Sequence, residues 1–244
     1  MLDFASLYPS VFIAHNMCHS TLLPPNAHRT LGLPHHRTYG TVGPNSRVAG
    51  AEAVSEMGEA SETSCRRWPG DAITFIKEEA HTGMFPRLLR ALLDERRAVK
   101  RRIKELDRQQ CSGHEAAVLE ARQLTLKLLA NASYGFCGAD TSHLRCKPLA
   151  EACLRFGNHY CKLASSLLEE QGAGCPAGRT PIWPRAAVIY ANTDSVFVRL
   201  PGRTAAEAAE AGRAMATYVS ARRPDGLPLT SNFTPSPRIH TTGK

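Results

Sequence analysis

The chain has 244 residues, enough for one large domain or two small ones with a sizeable core. Hydrophobic residues make up 43% and charged residues 21%, a globular balance that excludes wholesale disorder. Secretion and membrane insertion are not expected, since no apolar run reaches the ~20 residues of a bilayer span and no apolar signal core follows Met1; 30 Lys+Arg against 22 Asp+Glu, a formal +8, admit a polyanionic partner.

In chain order, residues 2–4 read as a strand, Ser6 to Pro9 as a turn, and Val11 to Cys18 as an apolar stretch. Residues 34–72 are rich in Gly, Pro, Ser, His and Glu without apolar periodicity, and read as a loop-like insertion. Residues 73–77 suit a short strand. From Pro86, a residue suited to a first helical turn, Leu89, Leu92, Val99, Ile103 and Leu106 recur at helical spacing. A break at Cys111-Ser112-Gly113 leads to a second helix, about Glu115 to Tyr134, with Gly135 and Gly138 ending it. Leu149, Cys153, Phe156, Tyr160, Leu163 and Leu167 form the apolar stripe of a third helix, which makes Phe156 and Tyr160 core residues. After a Gly/Pro-rich stretch, 187–190 and 196–198 read as hairpin arms, and 205–220 as a last helix. The tail from Pro224 has turn-like composition and is expected to be frayed. The eight cysteines contain no C-x-x-C pair, so zinc and a disulfide framework are not expected and the thiols read as reduced.

Two groups of residues carry candidate chemistry. Asp3 closes an apolar strand and Asp194 lies in a hairpin turn; carboxylates held there face solvent rigidly, as a divalent-metal site requires. Aspartate also simply favours turns, and the spacing leaves that reading open. Arg96, Lys100 and Lys104 share one helix face, and Lys127, Asn131 and Tyr134 share another. An antiparallel hairpin would bring Arg96 level with Lys127, giving converging cations suited to a polyphosphate. A solvated charged face is the competing reading.

Three stretches, in order, resemble family B DNA polymerases. Asp3-Phe4-Ala5-Ser6-Leu7-Tyr8-Pro9-Ser10, with Ala14 to Cys18 after it, is similar to motif A. Lys127 to Gly135 is similar to motif B, K-x3-N-S-x-Y-G, with Ala132 in the usual serine place. Tyr190-Ala191-Asn192-Thr193-Asp194-Ser195 is similar to motif C, Y-G-D-T-D-S. Leu92-Leu93-x-x-Arg96-x-x-x-Lys100 fits the first fingers helix. Gly83 to Pro86, Val118 to Leu124, Ala206-Glu207-Ala208 and Gly212-Arg213 look most like delta-type enzymes, while herpesviral and other large-DNA-virus polymerases share motif A as closely. The resemblance covers roughly 1–33 and 73–222.

It implies an α/β (α+β) fragment. Residues 1–33 would be palm, 34–72 an insertion, 73–85 a palm connection and 86–134 a two-helix fingers hairpin. Residues 135–222 would be palm with a small antiparallel sheet, and 223–244 a divergent, disordered tail; exonuclease and thumb would be absent. The implied reaction is template-directed attack of a primer 3′-hydroxyl on a deoxynucleoside triphosphate with release of pyrophosphate, in DNA replication. It uses two Mg²⁺ ions, for which Mn²⁺ can substitute. Asp3, Asp194 and the Phe4 main chain would hold the metals. Ser6 and Leu7 main-chain N–H groups, Tyr8, Arg96, Lys100, Lys127, Asn131 and Tyr134 would bind the nucleotide, with Tyr8 beneath the sugar. Primer-template DNA, dNTPs, accessory replication subunits and a sliding clamp are the implied partners, and the nucleus the implied location.

Ala191 and Asn192 depart from motif C. Asparagine keeps an acceptor oxygen but loses a negative charge, and Ala191 would be strained if the turn needs positive φ there. The alternative is therefore a catalytically impaired fragment that binds primer-template DNA without efficient synthesis.

Overall fold

The computed structural model describes residues 1–4, 6–24, 38–40, 73–109, 113–222 and 233–235. Most of the expected insertion and tail, and the Cys111-Ser112 break, lie outside these. The architecture is mixed α/β: five helices and two small antiparallel sheets among the described residues. The chain divides into two compact units, one holding residues 1–7 and those from 155 onward, the other holding 8–24, 38–40 and 73–154.

The first unit is built on a four-stranded sheet in the order β5-β6-β1-β7, from Ala187–Asn192, Ser195–Arg199, Leu2–Phe4 and Phe233–Pro235. Alternation sorts its faces. Leu2, Phe4 and Val196 are buried, whereas Asp3 and Ser195 point the other way and are half-buried. The three described residues of the tail expected to fray in fact pair with β1: Leu2 lies opposite Pro235, Asp3 opposite Thr234 and Phe4 opposite Phe233. A three-residue strand carries too little pattern to stand out from turn-like composition.

Helix α5 (Ala205–Ala221) opens with a capping box, in which the Thr204 hydroxyl accepts from the Glu207 N–H and the Glu207 carboxylate accepts from the Thr204 N–H at 2.7 Å. Helix α4 (Lys147–Glu170) buries Leu149, Cys153, Phe156, Tyr160 and Leu167 as its spacing predicts. The chain then turns at Gly172, where a Cβ would lie 2.2 Å from the Ala186 carbonyl oxygen, so only glycine fits this close approach.

The second unit packs α1 (Leu7–Ala14), α2 (Met84–Arg108) and α3 (His114–Gly138) with a sheet of β2 (Leu22–Leu23), β4 (Thr74–Ile76) and β3 (Thr38–Gly40). Strand β3 falls inside the segment expected to be loop. Its partner β4 is the strand expected at 73–77. Helix α1 starts at Leu7, so the expected turn from Ser6 to Pro9 is confined to Ser6, which takes a left-handed φ of 56°. Pro9 does not prevent this, because a first-turn N–H has no intrahelical acceptor to lose.

Asn16 ties this unit together. Buried to 1% exposure, its side chain donates to the Ile76 and His81 carbonyls at 2.8 and 2.7 Å and accepts from the Gly83 N–H at 2.8 Å. It thus joins the end of α1, strand β4 and the start of α2. Helix α3 runs past Tyr134 and Gly135 and ends at Gly138, the second of the two glycines expected to stop it. The cost of one helical glycine, about 1 kcal/mol, is offset because Ser133 and Cys137 on the same turns are buried.

Candidate active site

The first cluster lies in the sheet of the first unit. Cross-strand register sets Asn192 opposite Ser195, and Ser195 opposite Asp3. Directly opposed residues share a face, so these three form one row across β5, β6 and β1. The connection between β5 and β6 is only Thr193 and Asp194, which puts Asp194 at the tip beside that row. The Ser195 hydroxyl lies 3.0 Å from Asp3 Oδ1 and 3.3 Å from Asp194 Oδ1, so two acids far apart in sequence share one hydroxyl. The Phe4 N–H donates to the Asp194 carbonyl at 2.8 Å, fastening the tip to β1. Tyr190 and Phe197, one step along the same face, meet edge to face at 5.7 Å.

Burial, with the Asp194 charge adding to it, pushes the Cys161 thiol pKa up, so a turn of α4 lies near the hairpin tip. Asn192 is exposed, and its Oδ1 accepts from the Thr193 hydroxyl at 3.0 Å. The strain expected at Ala191 is absent. It sits in β5 opposite Val196, and the left-handed residue of the turn is Thr193, at φ 54°. A two-residue hairpin connection places the positive φ between the strands, after Ala191 has already joined the ladder.

The donors in this row are oxygens: two carboxylates and the Asn192 amide. That hard set fits Mg²⁺ or Mn²⁺ better than a soft metal. Among the described residues no group of three His, Cys, Asp or Glu is arranged to hold a metal. The set therefore offers two acids and one neutral oxygen.

The second cluster belongs to the other unit. Helices α2 and α3 are antiparallel: Arg122 pairs with Glu95 at 2.5 Å, Arg102 with Glu115 at 3.3 Å, and Arg96 Nε donates to Gln123 at 3.4 Å. Arg96 is thus level with Gln123 rather than Lys127, which stands one turn further along α3. Sequence spacing within each helix does not fix the register between them. The cations still act on one another. Lys100 has its pKa pushed down, first by desolvation and then by the charges of Arg96, Lys104 and Lys127, with Glu120 opposing. Desolvation also pushes the Arg96 pKa down. Asn131 is exposed one turn beyond Lys127. Tyr134 stacks on Tyr8, ring centroids 4.5 Å apart and 23° from parallel.

Ser6 and Leu7 lie where β1 gives way to α1, and the first N–H groups of a helix point outward as donors. Sequence reasoning missed two residues. Ser195 was read as part of a motif without a role, and Asn16 as part of an apolar stretch. The Gly-x-x-Pro start of α2 could have flagged the second: a Cβ on Gly83 would lie 2.7 Å from that of Cys18, so the chain must approach closely there.

A family model described as DNA polymerase family B matches residues 1–230, reaching past the 222 at which the sequence resemblance stops and including the 34–72 segment. The chain is 32% identical over 219 residues to the DNA polymerase delta catalytic subunit of Oryza sativa subsp. japonica, covering 90% of this chain and 17% of that protein. It is 33% identical over 232 residues to the delta catalytic subunit of Bos taurus, covering 93% and 17%. It is also 31% identical over 230 residues to the DNA polymerase zeta catalytic subunit of Arabidopsis thaliana, covering 94% and 11%. The chain therefore spans less than a fifth of the length of the curated relatives it matches.

Proposed function

The chain belongs to DNA polymerase family B, and from that premise we propose that it performs template-directed DNA synthesis, transferring nucleotides from dNTPs to a primer 3′-hydroxyl. The observation that carries this reading is the pair Asp3 and Asp194 brought to one hydroxyl, Ser195, at the tip of a rigid hairpin. Asp3, Asp194 and the Phe4 main chain would hold two divalent ions. Bound there, Mg²⁺ or Mn²⁺ supplies Lewis-acid stabilisation of the attacking and leaving oxygens.

The chain's own residues do the rest. Ser195 keeps both carboxylates oriented, so little reorganisation is needed when charge develops. Main-chain N–H groups at Ser6 and Leu7 receive phosphate oxygens. Arg96, Lys100 and Lys127 neutralise the β- and γ-phosphates, with Asn131 beside them, and a bound anion relieves the part of their mutual repulsion that Glu120 does not. Tyr8 supports the deoxyribose and discriminates against a 2′-hydroxyl, while its stacking partner Tyr134 lies against the nascent base pair. Template pairing supplies the sequence information. The wider setting is replication in the nucleus on primer-template DNA, with accessory subunits and a sliding clamp.

A second reading is favoured by one observation: Asn192 fills the place in the Asp3 row where the family motif has an aspartate. In that reading the chain binds primer-template DNA but extends it poorly. Primer extension with Mg²⁺ or Mn²⁺, comparing the chain with Asp3→Asn and Asn192→Asp variants, separates the two. Extension that Asp3→Asn abolishes supports synthesis. DNA binding without extension by the chain, with extension restored by Asn192→Asp, supports the second reading, and no gain from Asn192→Asp removes Asn192 as the cause. Extension untouched by Asp3→Asn sinks the site assignment.

A further inference from the structure

At the far end of the β5–β6 hairpin from Asp194, Ala187 lies opposite Arg199. Five residues of strand at ~3.3 Å each put this end roughly 16 Å from the tip. Beside it is an open depression of about 620 Å³, walled by the 172–185 turn and the start of the segment after β6. Its lining contains Arg179, Arg185 and Arg199 and no carboxylate. No ion pair is made by any of the three among the described residues, although Arg90, Arg97, Arg102, Arg122 and Arg145 all have one. Arg185 also holds a left-handed φ of 64°. For a residue with a Cβ that conformation is unfavourable, and it persists only where the surroundings impose it.

Several guanidinium groups around one concavity repel one another and focus a positive field into it. Their planar forks match the paired oxygens of a phosphate. The prolines at 176, 181, 184 and 201 stiffen the rim, so little ordering is needed on binding. Several main-chain donors nearby are already used. Ala173 N–H donates to the Ala186 carbonyl, Cys175 N–H to Gly172 and Arg179 N–H to Pro176, leaving recognition to the side chains.

We propose that this arginine-lined depression is a binding site for phosphate oxyanions, separate from the Asp3–Asp194 pair. The phosphates belong either to a free polyphosphate or to the backbone of bound DNA.

The test is calorimetric titration of inorganic tripolyphosphate into the whole chain, alongside two double variants. Binding at this site should survive Arg96→Gln with Lys127→Ala and weaken at least tenfold in Arg179→Gln with Arg199→Gln. Retention in the first variant separates this proposal from the nucleotide role of the helical cations. Affinity for duplex DNA over a salt series then identifies the source. A fall of about 2 in the log–log slope on removing two arginines indicates backbone phosphates; an unchanged slope with tripolyphosphate binding lost indicates a free polyphosphate. Arg179→Lys with Arg199→Lys, which keeps the charge and removes the forks, should bind several-fold more weakly and guards against misfolding of the glutamine variant, checked by far-UV circular dichroism. Tripolyphosphate binding equal in all variants overturns the proposal, as does binding of a polyglutamate peptide as tight as that of tripolyphosphate.

Discussion

Restoring a carboxylate at position 192 should increase divalent-ion affinity by an amount that follows from the sheet register. Residue 192 lies across from Ser195, and Ser195 across from Asp3. Opposed Cβ atoms are ~4.5–5.5 Å apart, and position 192 is one such spacing from Ser195 and two from Asp3, which puts an ion at the Asp3–Asp194 pair about 8 Å from a carboxylate at 192. Position 192 is exposed, so an effective dielectric constant of about 40–80 applies. A divalent ion then gains roughly 1–2 kcal/mol from the added charge, about 5- to 30-fold in affinity. The same charge repels the two existing acids when no ion is bound. Asn192→Asp should therefore melt lower than the parent in chelator and regain that loss as Mn²⁺ is added. Electron paramagnetic resonance of Mn²⁺ reads the affinity, and thermal melts with and without the ion read the coupling. A folded Asn192→Asp chain whose Mn²⁺ affinity moves less than twofold would refute the row geometry on which this rests.

Asn16→Ala removes the acceptor of the buried Gly83 N–H and the donors to the partly buried Ile76 and His81 carbonyls, so urea unfolding should show a loss of about 2–3 kcal/mol; a loss below 1 kcal/mol would mean water replaces the amide. The lowered pKa of Lys100 fixes the sign of two pH effects. Folding stability should rise as pH climbs from that lowered value to the ordinary lysine value, because the unfolded chain holds the proton longer, and triphosphate affinity should fall over the same range as the cation is lost. Nuclear magnetic resonance titration of the Lys100 side chain checks this, and Arg96→Gln should move its pKa upward. Thr204→Ala removes the hydroxyl of the α5 capping box and should cost about 1 kcal/mol in chemical denaturation, while Thr204→Ser should recover most of it.

Much of this protein is legible in local pattern. The stripe from Leu149 to Leu167 fixes α4 and its buried face, because a period near 3.6 leaves one side of a helix apolar wherever that helix is placed. The β-branched and aromatic arms at 187–190 and 196–198 fix the hairpin, and the motif strings around Asp3, Lys127 and Asp194 fix the family. Tertiary structure decided what depends on pairing distant segments. Which residue faces Asp3 is a matter of strand register, and a slip of one residue would have turned Asn192 and Ser195 to the opposite face. The one-turn offset between Arg96 and Lys127 comes from ion pairs between two helices, which neither helix's own periodicity encodes. Ser195 becomes a bridge, and Asn16 a hub, only once strands and helices far apart in the chain are brought within hydrogen-bonding distance of them.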